Sequence, residues 1–279
     1  MKIGLFFRKF NNPVIRISED TANWFTSHNV GIEIPLDLKD KINYPVNPEF
    51  PKGCDMVVSR GGDGPFLRAV RAASKFDIPV LGINMGRLGY LTEVEENELY
   101  NSLFKILRGE YKVETREMLK GQILRSGKKI REVHVLNDIY IYRDFHAPLV
   151  DATIYIDSER VGETRSDGLI VSTATGSTAY ALSAGGAILD HECSDFEIVA
   201  ICPHKLNQRP IIVPSSKRIS LDVNSPEGNF SLFADGDIID TIVPHDLVVA
   251  TKSQYTAKLV RLSNKNFYQV LKSKFDWSS

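Results

Sequence analysis

The sequence predicts an α/β part followed by a mainly β part, and three observations lead to that fold class. The chain has 279 residues, 43% of them apolar and 25% charged. That is enough to bury a full core and, at roughly 100 to 200 residues per domain, to form two domains. Before residue 116, strand-length apolar runs alternate with segments of helical period around a glycine turn at 61–64. After it, short β-branched and aromatic runs recur between turn residues, the pattern of a sandwich or related all-β domain. The expected division is an α/β domain over 1–115, a mainly β domain over 116–257, and a segment 258–279 that packs back on the first domain.

Residues 2–7 read as a short apolar strand and 18–27 as a helix. Residues 34–52, rich in Pro, Asn and Asp, read as a mobile connection. Met56, Val57 and Val58 then form a buried-strand run. The glycine turn follows, Phe66, Leu67, Val70 and Ala73 recur at helical spacing, and 78–83 supplies the next strand. That is a βαβ unit, expected to be right-handed, and it makes the first domain Rossmann-like. A helix over 95–108 places Leu99, Leu103, Phe104 and Leu107 on one stripe and stops at Gly109, where a left-handed cap is expected.

Strands are expected at 121–124, 133–142, 152–157, 169–172, 218–223, 229–234, 246–251 and 256–262. Turn signals such as Asp157-Ser158 and Pro226-Glu227-Gly228 separate them. Residues 176–189 interrupt the series with a short helix-like piece among small residues. Phe267, Val270, Leu271 and Phe275 share one face of a final helix that is too short to stand alone.

Lys and Arg (34) nearly balance Asp and Glu (35), so no general basic field recommends a nucleic acid or an anionic membrane as partner. Phosphate binding has to come from local sites. The apolar run at 4–7 is broken by Arg8 and Lys9 and lacks a small-residue cleavage site, unlike a signal peptide. No run approaches the ~18 uncharged apolar residues that span a bilayer. A soluble, cytoplasmic protein is expected, and the odd, sparse set Cys54, Cys193 and Cys202 fits a reducing compartment.

Gly61-Gly62-Asp63-Gly64 lies between a strand and a helix. Glycines allow a sharp turn and close backbone approach, and the helix that follows presents free N–H groups and the positive end of its dipole to a phosphate. A carboxylate at Asp63 can take a proton from a hydroxyl or hold Mg²⁺, both tasks of phosphoryl transfer. The plain alternative is a strand–helix turn in which Asp63 caps the helix. Arg68, one turn on, reaches toward a phosphate or is a solvated surface charge.

From Ser172 to Thr178 every residue except Ala174 and Gly176 carries a hydroxyl, between an apolar strand and Ser183-Ala184-Gly185-Gly186. So dense a donor group suits recognition of a nucleotide, whereas a helix cap needs one hydroxyl. Tyr180 either stacks on a base or fills core. Asn137-Asp138 stands inside an expected strand although both are poor strand formers and a buried carboxylate is costly, for which function is a reason. His191, Cys193, Cys202 and His204 offer four zinc-type ligands, but at tighter spacing than usual, and Cys202 reads better as a buried apolar residue.

Taken together these segments resemble the NAD kinase family. The resemblance runs through GGDG, through the stretch from Gly82 to Thr92 reading GINMGRLGYLT, and through Leu136-Asn137-Asp138. It continues through the stretch from Arg165 to Tyr180 and through Ser183-Ala184-Gly185-Gly186, and ends in the segment CPHKLNQRP that begins at Cys202. It implies transfer of the terminal phosphoryl group of ATP, or of polyphosphate, to the 2′-hydroxyl of the adenosine ribose of NAD, with Mg²⁺ or another divalent cation.

By position, the resemblance would make Asp63 the general base or the organiser of the reacting hydroxyl. Gly61, Gly62 and Gly64 would lie by the phosphates, and Gly64 and Arg68 beside Asp63 in the substrate site. Asn137 and Asp138 would hold adenine and a ribose, and Arg165 and Asp167 would contact the nicotinamide side. Thr175 with Thr178, Ala179, Tyr180, Ala181, Leu182 and Ser183 would wall the adenine pocket, with the ligand between the two domains.

The resemblance also implies a homo-oligomer, a dimer or tetramer. Three positions depart from the family pattern: Pro65 after GGDG, Ala174 for a proline, and Asp237 for a glutamine. Of these, Pro65 removes an N–H from the first turn of the helix and bears on donor affinity. A non-catalytic NAD-binding protein, or a kinase for another hydroxyl acceptor, is the alternative on the same scaffold.

Overall fold

The computed structural model describes residues 1–7, 12–85, 89–225, 229–263 and 266–275. Part of the GINMGRLGYLT stretch (86–88), the turn expected at 226–228 and the charged pair at 8–9 lie outside the described residues. The chain divides into two compact units, Met1–Thr115 with Thr256–Ser279, and Arg116–Tyr255. The first is an α/β unit with a parallel sheet and the second an antiparallel β-sandwich.

In the first unit, β1 (Lys2–Phe7), β2 (Gly31–Glu33), β3 (Met56–Arg60) and β4 (Val80–Ile83) form a parallel sheet in the order β2-β1-β3-β4. Ile3, Leu5, Phe7, Met56, Val58, Leu81 and Ile83 pack into one core. Val14, Ala22 and Phe25 of α1 (Asn12–Ser27) and Leu99, Leu103 and Ile106 of α3 (Leu99–Leu107) join that core. Helix α2 (Asp63–Ala73) buries Phe66, Leu67, Val70 and Ala73, the residues whose spacing predicted it.

Helix α1 begins six residues before the expected start at Ser18, since Pro13 suits a first turn and Ser18 and Thr21 bond back to Val14 and Ile17 at 2.7 and 2.9 Å. The connection expected to be mobile over 34–52 is a packed segment. Ile34, Leu38 and Ile42 enter the core, and Ile34 N–H donates to Pro45 O at 2.9 Å.

The second unit opens with β5 (Lys112–Arg125, from Arg116) and β6 (Lys128–Val135). There follow β7 (Asp138–Arg143), β8 (Val150–Ile156), β9 (Glu159–Ser166), β10 (Gly168–Thr173) and α4 (Tyr180–Ser183). After α4 come β11 (Asp195–Ile201), β12 (Ile211–Pro214), β13 (Ile219–Val223), β14 (Phe230–Ala234), β15 (Asp237–Ile242) and β16 (Leu247–Arg261). One antiparallel sheet runs β12-β11-β10-β7-β14-β15; the other joins β16, β13, β8 and β9, with β5 and β6 beside β16. Ile139, Ile141, Leu169, Val171, Phe196 and Leu232 from the first sheet meet Ile154, Ile219, Leu221 and Val248 from the second.

Strands β9, β11, β12 and β15 were not expected from the sequence. Strands β9 and β15 are edge strands rich in charge, so they show little apolar alternation. Strands β11 and β12 carry a glutamate and a proline within their runs. The last residues of β16 belong to the first unit, where Leu259 pairs in parallel with Val80, and α5 (Phe267–Phe275) follows with Leu271 buried. Among the described residues no helix is long and apolar enough to cross a membrane.

Candidate functional site

In the first unit the site grows from the end of β3. Gly61 has φ 135°, a conformation that favours glycine, and Gly62 is the extended N-cap of α2, so Asp63 is the first helical residue and does not cap the helix. A carboxylate there complements the helix dipole. Its oxygens instead accept N–H bonds from another loop, Oδ2 from Tyr90 at 3.0 Å and Oδ1 from Leu91 at 3.2 Å. Gly89 makes this possible, because a Cβ there would stand 2.1 Å from Asp63 Oδ1. Tyr90 packs its ring against Phe275 of α5, and burial, followed by the charge of Asp63, raises its hydroxyl pKa. Arg68 is half-buried one turn along α2.

Arg60, which closes β3 just before the turn, went unnoticed in the sequence. Its fully buried guanidinium places Nη2 3.0 and 3.1 Å from the two carboxylate oxygens of Glu96. A charged residue ending an apolar strand was the available signal.

In the second unit Asn137 does not lie within a strand. Leu136 and Asn137 form a bend between β6 and β7, and Asp138 begins β7. One side chain makes the break: the Asp235 carboxylate accepts the N–H groups of Leu136, Asn137 and Asp138 at 3.2, 2.8 and 3.3 Å. Asp235 and Gly236 both have positive φ, as the tight turn between β14 and β15 requires. The Asp235-Gly236-Asp237 element is therefore a positioning device for Asn137 and Asp138. Asp138 is only 3% exposed, and burial, followed by the Asp235 charge, pushes its carboxyl up to about 8. Asn137 Oδ1 is buried and has no hydrogen-bond partner among the described residues.

The hydroxyl segment is used differently from the sequence expectation. Ser172, Thr173, Thr175 and Ser177 are buried, and their hydroxyls mainly serve the fold. Thr173 Oγ1 donates to Leu136 O at 2.6 Å and accepts Gly176 N–H at 3.0 Å. Ser177 Oγ donates to Ala174 O and accepts Leu189 N–H. A Cβ on Gly176 would lie 2.2 Å from Asn137 O, so only glycine lets the segment pack on the 137 bend. Thr178 Oγ1 donates to Thr175 O at 3.3 Å, and Ala181 enters a small core with Ile170, Val199 and Ile201.

What faces outward is a recess of about 280 Å³ lined by Asn137, Asp138, Tyr140, Ala179, Tyr180 and the Asp235-Gly236 turn. Tyr140 stacks on Phe233 at 4.6 Å and meets the Tyr180 ring edge-on at 5.0 Å. Tyr140 was not anticipated, although its place two residues after Asp138 on one strand face could have found it. Leu182, Ser183, Arg165 and Asp167 do not line this recess. Arg165 is exposed on β9, and Asp167 Oδ1 accepts from Arg143 Nε at 2.6 Å.

Cys202, expected to be buried, is exposed at φ 47°, as the residue that follows β11 and precedes Pro203. Among the described residues no three or more His, Cys, Asp or Glu side chains gather to hold a metal.

The first unit thus offers a glycine turn opening a helix on a parallel sheet, and the second an amide- and tyrosine-lined recess on a β-sandwich. Family models described as ATP-NAD kinase N-terminal domain and ATP-NAD kinase C-terminal domain match residues 8–111 and 136–262, and the chain belongs to the NAD kinase family. The NAD kinase of Magnetococcus marinus is 34% identical over 99% of this chain and 93% of its own length. That of Chlorobium phaeobacteroides is 35% identical over 99% and 97%. The crystal structure of an Archaeoglobus fulgidus NAD kinase in complex with ATP superposes with a TM-score of 0.75 at 26% identity, covering 99% of this chain and 98% of that one. Yeast NADH kinase, solved with NADH, shares the fold at a TM-score of 0.90 and 23% identity, covering 100% and 88%.

Proposed function

We propose that the chain transfers the terminal phosphoryl group of ATP to the 2′-hydroxyl of the adenosine ribose of NAD, giving NADP. The observation that carries this reading is the Asp63 carboxylate, held by Tyr90 and Leu91 N–H at the first turn of α2. A ribose hydroxyl is a weak nucleophile that needs a base, and phosphates need the N–H groups a helix start supplies. Asp63 takes the 2′-hydroxyl proton, the freed oxygen bonds to the terminal phosphorus, and the bond from that phosphorus to the bridging oxygen breaks, ADP keeping the electron pair. Gly61, Gly62 and Gly64 bring backbone to the phosphates, and Arg68 adds charge.

In the second unit, Asn137, Asp138, Ala179 and Tyr180 hold the dinucleotide, where the open Oδ1 of Asn137 suits an amino group of the base. Thr175, Thr178, Ala181, Leu182 and Ser183 shape that wall, and Arg165 and Asp167 serve the nicotinamide side. A divalent cation fits this donor set, since Mg²⁺ takes one or two carboxylates plus phosphate oxygens and keeps its waters, and Asp63 supplies such a carboxylate. When bound, it neutralises charge on the phosphoryl oxygens.

ATP is the proposed donor in preference to polyphosphate because the Archaeoglobus relative was solved with ATP. The same reading takes the working form to be a cytoplasmic homo-oligomer, dimer or tetramer. Phe145 and Leu206, 90% and 93% exposed, are apolar surface that association would cover. A coupled assay for NADP with ATP or polyphosphate, with Mg²⁺ or a chelator, tests the chemistry. Product with ATP and Mg²⁺ supports it; NAD binding without product favours a non-catalytic binder, and ATP consumed only with other acceptors favours a different kinase.

A further inference from the structure

Strand β11 carries a buried carboxylate that the phosphoryl transfer does not use. Glu197 is 0% exposed and lies opposite Ser172 across the ladder. Among the described residues no cation pairs with it: Oε1 accepts Ala187 N–H at 2.6 Å, and Oε2 has no hydrogen-bond partner. Burial raises its pKa, the bond from Ala187 only partly offsetting the effect. Such a group costs folding free energy, so its one bond has to be sought for a role.

That bond holds the turn that follows α4. Gly186 N–H donates to Ala181 O at 2.9 Å, and Ala184 N–H lies 3.1 Å from both Tyr180 O and Ala181 O. Gly186 is wedged between the helix and the glutamate, since a Cβ there would lie 2.8 Å from Ala181 O and 2.8 Å from Glu197 Oε2. Helix α4 has four residues, too few to keep its place by its own hydrogen bonds. It begins with Tyr180, which with Ala179 walls the recess against Tyr140 and Asn137.

We infer that Glu197 is a positioning residue for NAD: through Ala187 and the Gly186 turn its carboxyl fixes α4, and with it the Tyr180 side of the dinucleotide site. This rests on the reading that NAD occupies the recess. Removing the carboxyl frees the N–H of exposed Ala187 to bond water and lets the turn and α4 drift, so affinity for NAD falls while the chemistry at Asp63 does not change.

The test is steady-state kinetics with thermal unfolding on Glu197→Gln, Glu197→Leu, Gly186→Ala and Tyr180→Ala. Glu197→Gln keeps the acceptor and holds the NAD KM within about twofold of the parent. Glu197→Leu raises it about tenfold, the size of one lost hydrogen bond, with kcat and the ATP KM within about twofold. Its unfolding midpoint does not fall, because an apolar isostere replaces an isolated buried acid. Gly186→Ala, which intrudes on the same contact, also raises the NAD KM and carries the test if Glu197→Leu does not fold. An unchanged NAD KM in Glu197→Leu and Gly186→Ala while Tyr180→Ala raises it overturns the role of Glu197. An unchanged NAD KM in Tyr180→Ala as well overturns the placement of NAD in the recess.

Discussion

Asp63 and Gly89 touch so closely that a Cβ on residue 89 would stand 2.1 Å from the Asp63 Oδ1 atom. Gly89→Ala is therefore expected to turn the carboxylate away from Tyr90 and Leu91 N–H. Displacement of a reacting group by an ångström costs about 10²-fold in rate. Initial-rate kinetics on this variant should show kcat falling by about that factor with little change in the NAD KM; an unchanged kcat would mean that the contact does not position Asp63 for the reaction.

Asp63→Asn keeps the shape and removes the base. The loss of general base catalysis lowers kcat by about 10²- to 10⁴-fold. Calorimetric titration with NAD should give a Kd close to that of the parent, and substantial turnover by the variant would take the proton-accepting role from Asp63.

Asp235→Ala leaves the buried N–H groups of Leu136, Asn137 and Asp138 without their acceptor. At about 1 kcal/mol net for each bond, the loss is on the order of 2 to 3 kcal/mol. Urea denaturation reads this directly. The NAD KM rises as well, because the 137 bend lines the recess.

Asp138 makes stability depend on pH. Its carboxyl is pushed up to about 8, above the ordinary value, by burial first and by the Asp235 charge second. An acid with a raised native pKa binds more protons folded than unfolded, so its contribution is fully present below about pH 4 and is lost as pH rises toward about 8. Asp138→Asn removes that slope. Denaturant midpoints at about pH 5, 6.5 and 8 should show the parent losing stability relative to the variant, and a constant difference across the window would contradict it.

The cysteines should react unequally. Cys54 is buried and its thiol is pushed up to about 12, by burial first and the Glu33 charge second, while Cys202 is exposed. Iodoacetamide under native conditions, followed by mass spectrometry, is expected to label Cys202 and spare Cys54, since the thiolate is the reactive form. Comparable labelling of both would mean that Cys54 is not shielded.

Much of this protein was legible without coordinates. Helix α2, the apolar runs of β1, β3 and β4, and the GGDG turn are local patterns whose periodicity and glycine content determine their geometry. The family motifs likewise lie in short contiguous segments. Edge strands β9 and β15 were illegible because polar edges carry no alternation, and the packing of 34–52 was hidden because scattered residues such as Ile34 and Leu38 meet the core without any period.

Residue types and order alone placed a helix after the glycine turn at Asp63, and the resemblance to the NAD kinase family put Asn137, Asp138 and Tyr180 in the candidate site. Only the tertiary structure decided what those residues touch. Asp235, about a hundred residues along the chain, bends the backbone at Asn137, and Glu197 holds the turn after Tyr180. The hydroxyls of the 172–178 segment are drawn into backbone bonds that leave few of them facing the recess. Hydrogen bonds between residues distant in sequence form only when the sheets bring them together, and buried polar groups bind whichever partner the fold supplies.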